Sequence, residues 1–376
     1  MSRFDHLILD HVRAMPTYVP GRSPRQAEAE SGVPCIKMAS NENPFGPSPL
    51  AVEAMQAAAA NVNWYPEIDN SDLRAAIAVR HGIDPTNVLV TCGSSQMLHI
   101  VARTILAPGL NAITADRSFI VYPIVCMAVG ADLIRVPMRD NAFNLGAILD
   151  AVTHETRAIL IANPNNPTGS MLSPADITRF LDEVPDQVVV VLDEAYAEFA
   201  EAFAQQRGVS YSRSFDYVRE GRNVVVLRTF SKAQGLAAAR IGYAVAPAGL
   251  IQYFMRVKTV FSVSSIAEAG ALAALGDFAH VEKTTQNNLR GAEYLTRSLA
   301  ELGLTALPTW TNFLYVDLGE PASPFAKRLE GEGVIVRPMT GNWNAPTAIR
   351  VTIGTPEQNA VFLGAMKKVL TSAAVR

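Results

Sequence analysis

From residue 88 to residue 246 the chain repeats one pattern, a short β-branched or aliphatic run followed by a stretch of helical character. The runs are 88–91, 112–115, 132–136, 158–162, 187–192, 223–228 and 241–246. Between several of them lie amphipathic segments, such as 95–106 and 174–183, with apolar residues at helical spacing. A strand that is apolar on both faces has no side to give to water, so helices must cover both faces of its sheet. The pattern predicts an α/β fold whose large domain has a mostly parallel sheet covered by helices. In such a sheet ligands gather at the carboxyl ends of the strands.

The ends of the chain read differently. The first fifty residues carry Tyr18-Val19-Pro20-Gly21 and Asn43-Pro44-Phe45-Gly46-Pro47-Ser48-Pro49, which suit an extended arm with turns. Beyond residue 250, long helical stretches lead into short strands near 312–317, 334–337 and 348–353 and a last helix near 356–370, an α+β pattern. We expect residues 1–50 to form an N-terminal arm and small-domain segment, 51–255 the large domain, and 256–376 a smaller C-terminal domain. At 49% hydrophobic and 18% charged over 376 residues, a disordered chain is excluded. A net charge of −3 offers no basic surplus for nucleic acid. No run approaches the length of a membrane span, the charged start lacks the core of a signal peptide, and three scattered cysteines form no metal or disulfide framework. We expect a cytoplasmic protein without a bound metal.

The chemistry follows the strands. After 88–91 comes Cys92-Gly93-Ser94-Ser95-Gln96 ahead of a helix, where free N–H groups, hydroxyls and the helix dipole suit a phosphate; a serine there also serves as a simple N-cap. After 158–162 comes Asn163-Pro164-Asn165-Asn166-Pro167-Thr168-Gly169, amides held in a restrained turn. After 187–192 comes Asp193-Glu194-Ala195-Tyr196; a carboxylate closing an apolar strand is costly unless a cation meets it or it caps a helix. After 223–228 comes Thr229-Phe230-Ser231-Lys232, with Arg240 eight residues on. A lysine among small and apolar residues loses solvation, and its neutral amine can form a Schiff base with an aldehyde. An amine, a carboxylate, a phosphate nest and an arginine on one sheet edge meet the needs of pyridoxal 5′-phosphate (PLP).

In their order these motifs resemble those of the fold type I PLP-dependent aminotransferases, and within them the histidinol-phosphate aminotransferase family. The likeness runs from the arm motifs, including Ser40-Asn41-Glu42-Asn43, to Ile349-Arg350-Val351-Thr352-Ile353-Gly354-Thr355. It departs in the nest Gly93-Ser94-Ser95-Gln96, where many relatives carry an acidic residue, and at Asp116-Arg117-Ser118, where Pro-Thr is common. The resemblance implies that Lys232 holds PLP and shuttles the proton, that Asp193 pairs with the ring nitrogen, and that Tyr196 and Asn166 bond the ring hydroxyl oxygen. It implies Phe119 stacked on the ring, and Ser94, Ser95, Thr229, Ser231, Arg240 and a partner subunit's Tyr65 on the phosphate. Substrate contacts fall to Arg350, on the α-carboxylate, and to Arg337, Tyr18 and Asn41.

The implied reaction is ping-pong transamination in a homodimer with shared active sites. L-histidinol phosphate gives its amino group, imidazole acetol phosphate leaves, and 2-oxoglutarate collects the nitrogen as L-glutamate. Three alternatives share the fold: an aromatic amino acid aminotransferase, a threonine-phosphate-type decarboxylase that loses carbon dioxide in place of a proton, and a ligand-sensing regulator. The last requires a DNA-binding element, and the first fifty residues show no helix-turn-helix pattern.

Overall fold

A computed structural model describes residues 3–17 and 21–374. Its strands, in chain order, are β1 (Ile36–Lys37), β2 (Val88–Thr91), β3 (Asn111–Ala115), β4 (Asp132–Val136), β5 (Thr156–Ala162), β6 (Val189–Asp193), β7 (Val224–Thr229), β8 (Gly242–Val245), β9 (Thr305–Ala306), β10 (Phe313–Asp317), β11 (Val334–Ile335), β12 (Arg337–Pro338) and β13 (Ala348–Thr352). Strands β2 to β8 build one seven-stranded sheet in the order β2-β8-β7-β6-β5-β3-β4. Only β8 runs against its neighbours. This is the mostly parallel, helix-covered sheet that the alternating pattern predicts, with each strand within two residues of its expected run.

Strands β2, β3, β6, β7 and β8 are buried at every position, in keeping with their mostly apolar sequences. One apolar core surrounds this sheet. A second lies in the C-terminal part, where Leu295, Leu299, Phe325, Ile349, Val351 and Phe362 pack together with Met38. There β10 pairs antiparallel with β9 and β13, and β12 with β13.

The first fifty residues depart from an extended arm. Pro24–Ser31 is a helix, with the Ser23 hydroxyl accepting the Gln26 N–H at its start and Gly32 left-handed at φ 72° at its end. The local signals were a capping serine, a proline at the first helical turn and a closing glycine. A further short helix covers Asp10–Ala14. The segment is tied to the far end of the chain: β1 pairs parallel with β11, and Arg22 forks onto Glu330 at 2.7 and 3.1 Å.

The Asn43–Ser48 motif covers the lysine loop. The Asn43 side-chain amide donates to the Ala233 carbonyl at 2.8 Å and the Ser48 N–H to the Gln234 carbonyl at 3.0 Å. Gly235, at φ 74°, lies so close to Gly46 that an added Cβ would stand 2.2 Å from its carbonyl oxygen. No other residue fits that contact.

Beneath the sheet edge an ion pair ties β6 to β7. Glu194, directly after Asp193, is fully buried and accepts from Arg228 Nε at 2.9 Å and from its terminal nitrogen at 2.7 Å. Its other oxygen accepts the Ser212 hydroxyl at 2.6 Å. Removing one partner of such a pair leaves an uncompensated buried charge. Arg228→Met is therefore expected to cost about 3–5 kcal/mol in urea unfolding, and the double replacement Arg228→Met with Glu194→Gln to cost less than the single one.

Candidate active site

The carboxyl ends of β2, β5, β6 and β7 open into one cavity of about 260 Å³. Its lining includes Ser94 and Ser95, Asn166, Asp193 and Tyr196, Thr229, Ser231 and Lys232, Arg240, Phe119, Asn41, Arg337 and Arg350. Thirteen of the fifteen residues expected from the sequence therefore meet in one place. Tyr65 stands apart, exposed and stacked on Phe261 with ring centroids 4.8 Å apart. Tyr18 lies outside the described residues.

One end of the cavity is built for an anion. The helix Gly93–Ile105 starts directly after β2, with Ser94 and Ser95 in its first turn. Gly93 has φ 75°, and an added Cβ would stand 2.8 Å from the Arg240 guanidinium, which lies over it. The Thr229 hydroxyl donates to the Ser231 hydroxyl at 3.0 Å on the same rim. Free N–H groups, hydroxyls, a helix dipole and a guanidinium converge there.

The middle holds two ionisable groups in unfavourable surroundings. Burial, aided by the charge of Arg350, brings the Lys232 amine down to about 8. Its Nζ donates to the main-chain carbonyls of Asn41 at 3.3 Å and Ser40 at 3.5 Å. Burial pushes the Asp193 carboxyl up to about 6, against the opposing bonds from Tyr122 and the Ala195 N–H. Asp193 Oδ2 accepts the Tyr122 hydroxyl at 3.3 Å, whereas Oδ1 is buried without a hydrogen-bond partner among the described residues. A buried carboxylate oxygen left without a donor carries a desolvation cost that a ligand's cationic N–H would remove.

Around these groups two sets of hydrogen bonds link distant parts of the chain. The Asn41 amide donates to the Tyr196 hydroxyl at 2.8 Å, and the Thr352 hydroxyl to Asn41 Oδ1 at 3.3 Å. Arg350 donates to Asn166 Oδ1 at 2.6 Å and to the Ala39 carbonyl at 2.8 Å. Asn163-Pro164-Asn165-Asn166-Pro167 is pinned by Asn165, whose amide donates to the Arg117 carbonyl and the Thr168 hydroxyl and whose Oδ1 accepts the Ser118 hydroxyl.

Sequence reading missed Trp343, which also lines the cavity. Its indole N–H donates to the Ser118 carbonyl at 3.1 Å, and the Arg337 guanidinium sits 5.4 Å from its ring centre. A lone tryptophan in the loop Gly341-Asn342-Trp343-Asn344 carries no local signal of this role. Tyr122 was missed too, although its spacing of three from Phe119 places both on one side of a helical turn.

Comparison with known proteins agrees with this geometry. Residues 33–366 match the family model "Aminotransferase class I and II". The chain is 42% identical to histidinol-phosphate aminotransferase 2 of Pseudomonas aeruginosa, over 98% of this chain and 99% of that one. It is 40% identical to the histidinol-phosphate aminotransferase of Moorella thermoacetica, over 94% and 90%. Among solved structures, the histidinol-phosphate aminotransferase of Sinorhizobium meliloti in complex with pyridoxal-5′-phosphate superposes with a TM-score of 0.88 at 29% identity, covering 99% of each chain. The L-threonine-O-3-phosphate decarboxylase of Porphyromonas gingivalis shares the fold, with a TM-score of 0.78 at 24% identity over 89% of this chain and 99% of that one. The family model, the full-length relatives and the convergence of amine, carboxylate and anion cradle agree: this chain belongs to the class I and II aminotransferases, among the histidinol-phosphate aminotransferases.

Proposed function

We propose that the protein is a PLP-dependent transaminase that takes the amino group of L-histidinol phosphate and passes it to a 2-oxo acid such as 2-oxoglutarate. The observation that carries the substrate is the pairing of Arg337 with Arg350. They are direct cross-strand partners on β12 and β13, and both line the cavity. Like charges placed directly opposite on a strand pair repel, and an anionic ligand between them offsets that cost. Guanidinium forks match phosphate as well as carboxylate geometry. The same pair therefore suits the phosphate of the donor in one half-reaction and the carboxylates of the 2-oxo acid in the other.

The residues fit the cofactor. The orphaned Asp193 Oδ1 suits the ring nitrogen, the buried Lys232 amine suits the aldehyde, and the cradle over Gly93 suits the phosphate. Phe119 would lie against the ring, with Tyr196 and Asn166 at its hydroxyl oxygen. When bound, PLP supplies an aldehyde that condenses with amines and a ring that withdraws electrons from the donor carbon. Asp193, held as a carboxylate by a cationic N–H, keeps that ring electron-poor. Lys232 is the proton carrier: at a pKa of about 8, about a tenth of the amine is neutral at pH 7. That fraction takes the proton from the donor Cα, and the ammonium so formed is an acid close to neutrality.

We further propose a homodimer in which the exposed Tyr65 of one copy reaches the phosphate cradle of the other. Its place outside its own cavity supports that reading. Among the described residues no helix is long and apolar enough to cross a membrane, in keeping with a cytoplasmic location.

The deciding experiment is a half-reaction titration of the purified, PLP-loaded protein. L-histidinol phosphate is expected to bleach the visible cofactor band, and 2-oxoglutarate to restore it without carbon dioxide release. Bleaching by phenylalanine while histidinol phosphate leaves the band unchanged would overturn the donor assignment. Arg337→Ala is expected to raise KM for histidinol phosphate by about tenfold to a hundredfold, as for a lost charge-assisted bond, and to raise KM for 2-oxoglutarate as well, since the same pair meets its carboxylates.

The lysine has a consequence for stability. Its folded pKa of about 8 lies below the ordinary 10.5, so between those values the unfolded chain holds more protons and stability rises with pH. Below pH 8 the full penalty stands. In the cofactor-free protein, Lys232→Met is expected to gain on the order of 2 kcal/mol at pH 7, after allowance for the partial exposure of the lysine. The gain should shrink through pH 9 and vanish near pH 10.5 in denaturant titrations.

A further inference from the structure

Tyr122 has no place in the reaction as described, yet it touches two of the groups that would hold the ring. It lies in the helix Val121–Ala128 that follows β3, and it is completely buried. Its hydroxyl donates to Asp193 Oδ2. Its ring stands edge-on to Phe119, with centroids 5.7 Å apart and planes at 89°. It does not line the cavity itself but stands behind both residues that do.

The two oxygens of Asp193 are thereby divided. Oδ2 is engaged from behind by the phenol, and the buried Oδ1 is left without a partner. A carboxylate turns about its terminal bond through a broad, shallow profile, so of the two donors that reach Asp193, the Tyr122 hydroxyl and the Ala195 N–H, loss of the phenol would leave the plane of the carboxylate less restrained. Edge-to-face contact likewise restrains the Phe119 ring plane.

We infer that Tyr122 is a positioning residue with two loads: it orients the Asp193 carboxylate so that Oδ1 faces the cofactor nitrogen, and it props Phe119 against the face of the ring. The inference rests on the PLP reading of the site. Burial holds the phenol protonated well beyond neutral pH, so it remains a donor whenever the carboxylate needs one. At 3.3 Å the contact is long for a charged acceptor, which sets the expected effect at the lower end for such bonds.

The test uses the full-length enzyme loaded with PLP. Tyr122→Phe keeps the ring and its edge contact but loses the donor; Tyr122→Leu loses both. Tyr122→Phe is expected to raise the Kd for PLP about tenfold and to lower kcat while KM for the donor changes less than twofold. The circular dichroism of the visible cofactor band should keep its sign and shape. Tyr122→Leu is expected to weaken PLP binding further and to diminish that band as the stack loosens. In an Asp193→Ala background, which removes the acceptor, Tyr122→Phe should have no further effect on Kd, because its first load acts through the carboxylate. A Kd and kcat within twofold of the parent for Tyr122→Phe would overturn the inference, as would an undiminished effect in the Asp193→Ala background. If the parent protein takes up no PLP, or if Lys232→Ala keeps the visible band, the cofactor reading itself falls, and this inference with it.

Discussion

The parallel register of β5, β6 and β7 is the constraint on which the site depends. Ala162 on β5 lies opposite Asp193 on β6, and Asp193 lies opposite Leu227 on β7. Strands β5 and β6 thus end at one level and β7 two residues beyond, and the residues that follow bring Asn166 and Lys232 to the rim where Asp193 stands. Cross-strand bonds carry this alignment past the strand ends, from Asn163 N–H to the Asp193 carbonyl and from Glu194 N–H to the Leu227 carbonyl. A slip of one residue in β6 would turn Asp193 to the opposite face of the sheet. The Glu194–Arg228 pair stands at the level where such a slip would begin.

The cavity then holds a deliberate imbalance. Asp193 is raised and Lys232 lowered by the same burial, and both depart from their ordinary values toward neutrality. Structural ion pairs elsewhere in the chain are closed by their partners, as Arg22 is by Glu330 and Arg228 by Glu194. At the cavity, Asp193 Oδ1 has no such partner among the described residues. In the proposed PLP reading, a bound cofactor would relieve that cost, and the depressed amine would be reactive near neutral pH.

Much of this was legible beforehand. The seven runs of β-branched residues located the large sheet because burial on both faces demands continuous apolar strands. The residues after each run located most of the site because a parallel sheet presents its carboxyl ends together. The helix Pro24–Ser31 was overlooked although its capping serine, first-turn proline and closing glycine were present, since the surrounding prolines and glycines read as turns. Trp343 was not legible at all, and of Tyr122 only its nearness to Phe119 was, not its bond to Asp193. Each acts through a contact with a residue far away in the chain, Trp343 on Ser118 and Tyr122 on Asp193, and no local pattern encodes such a partner.

By itself the sequence determined the class of fold, the positions of the large-sheet strands along the chain and the kinds of group at their ends, because periodicity and burial act over a few residues at a time. Only the tertiary structure decided which side chains share a hydrogen bond, which oxygen of Asp193 is left open, and that Arg337 stands directly across from Arg350. Those outcomes depend on register and on packing between segments that are not neighbours in the chain, where free-energy differences come from whole-chain geometry rather than from any residue and its neighbours.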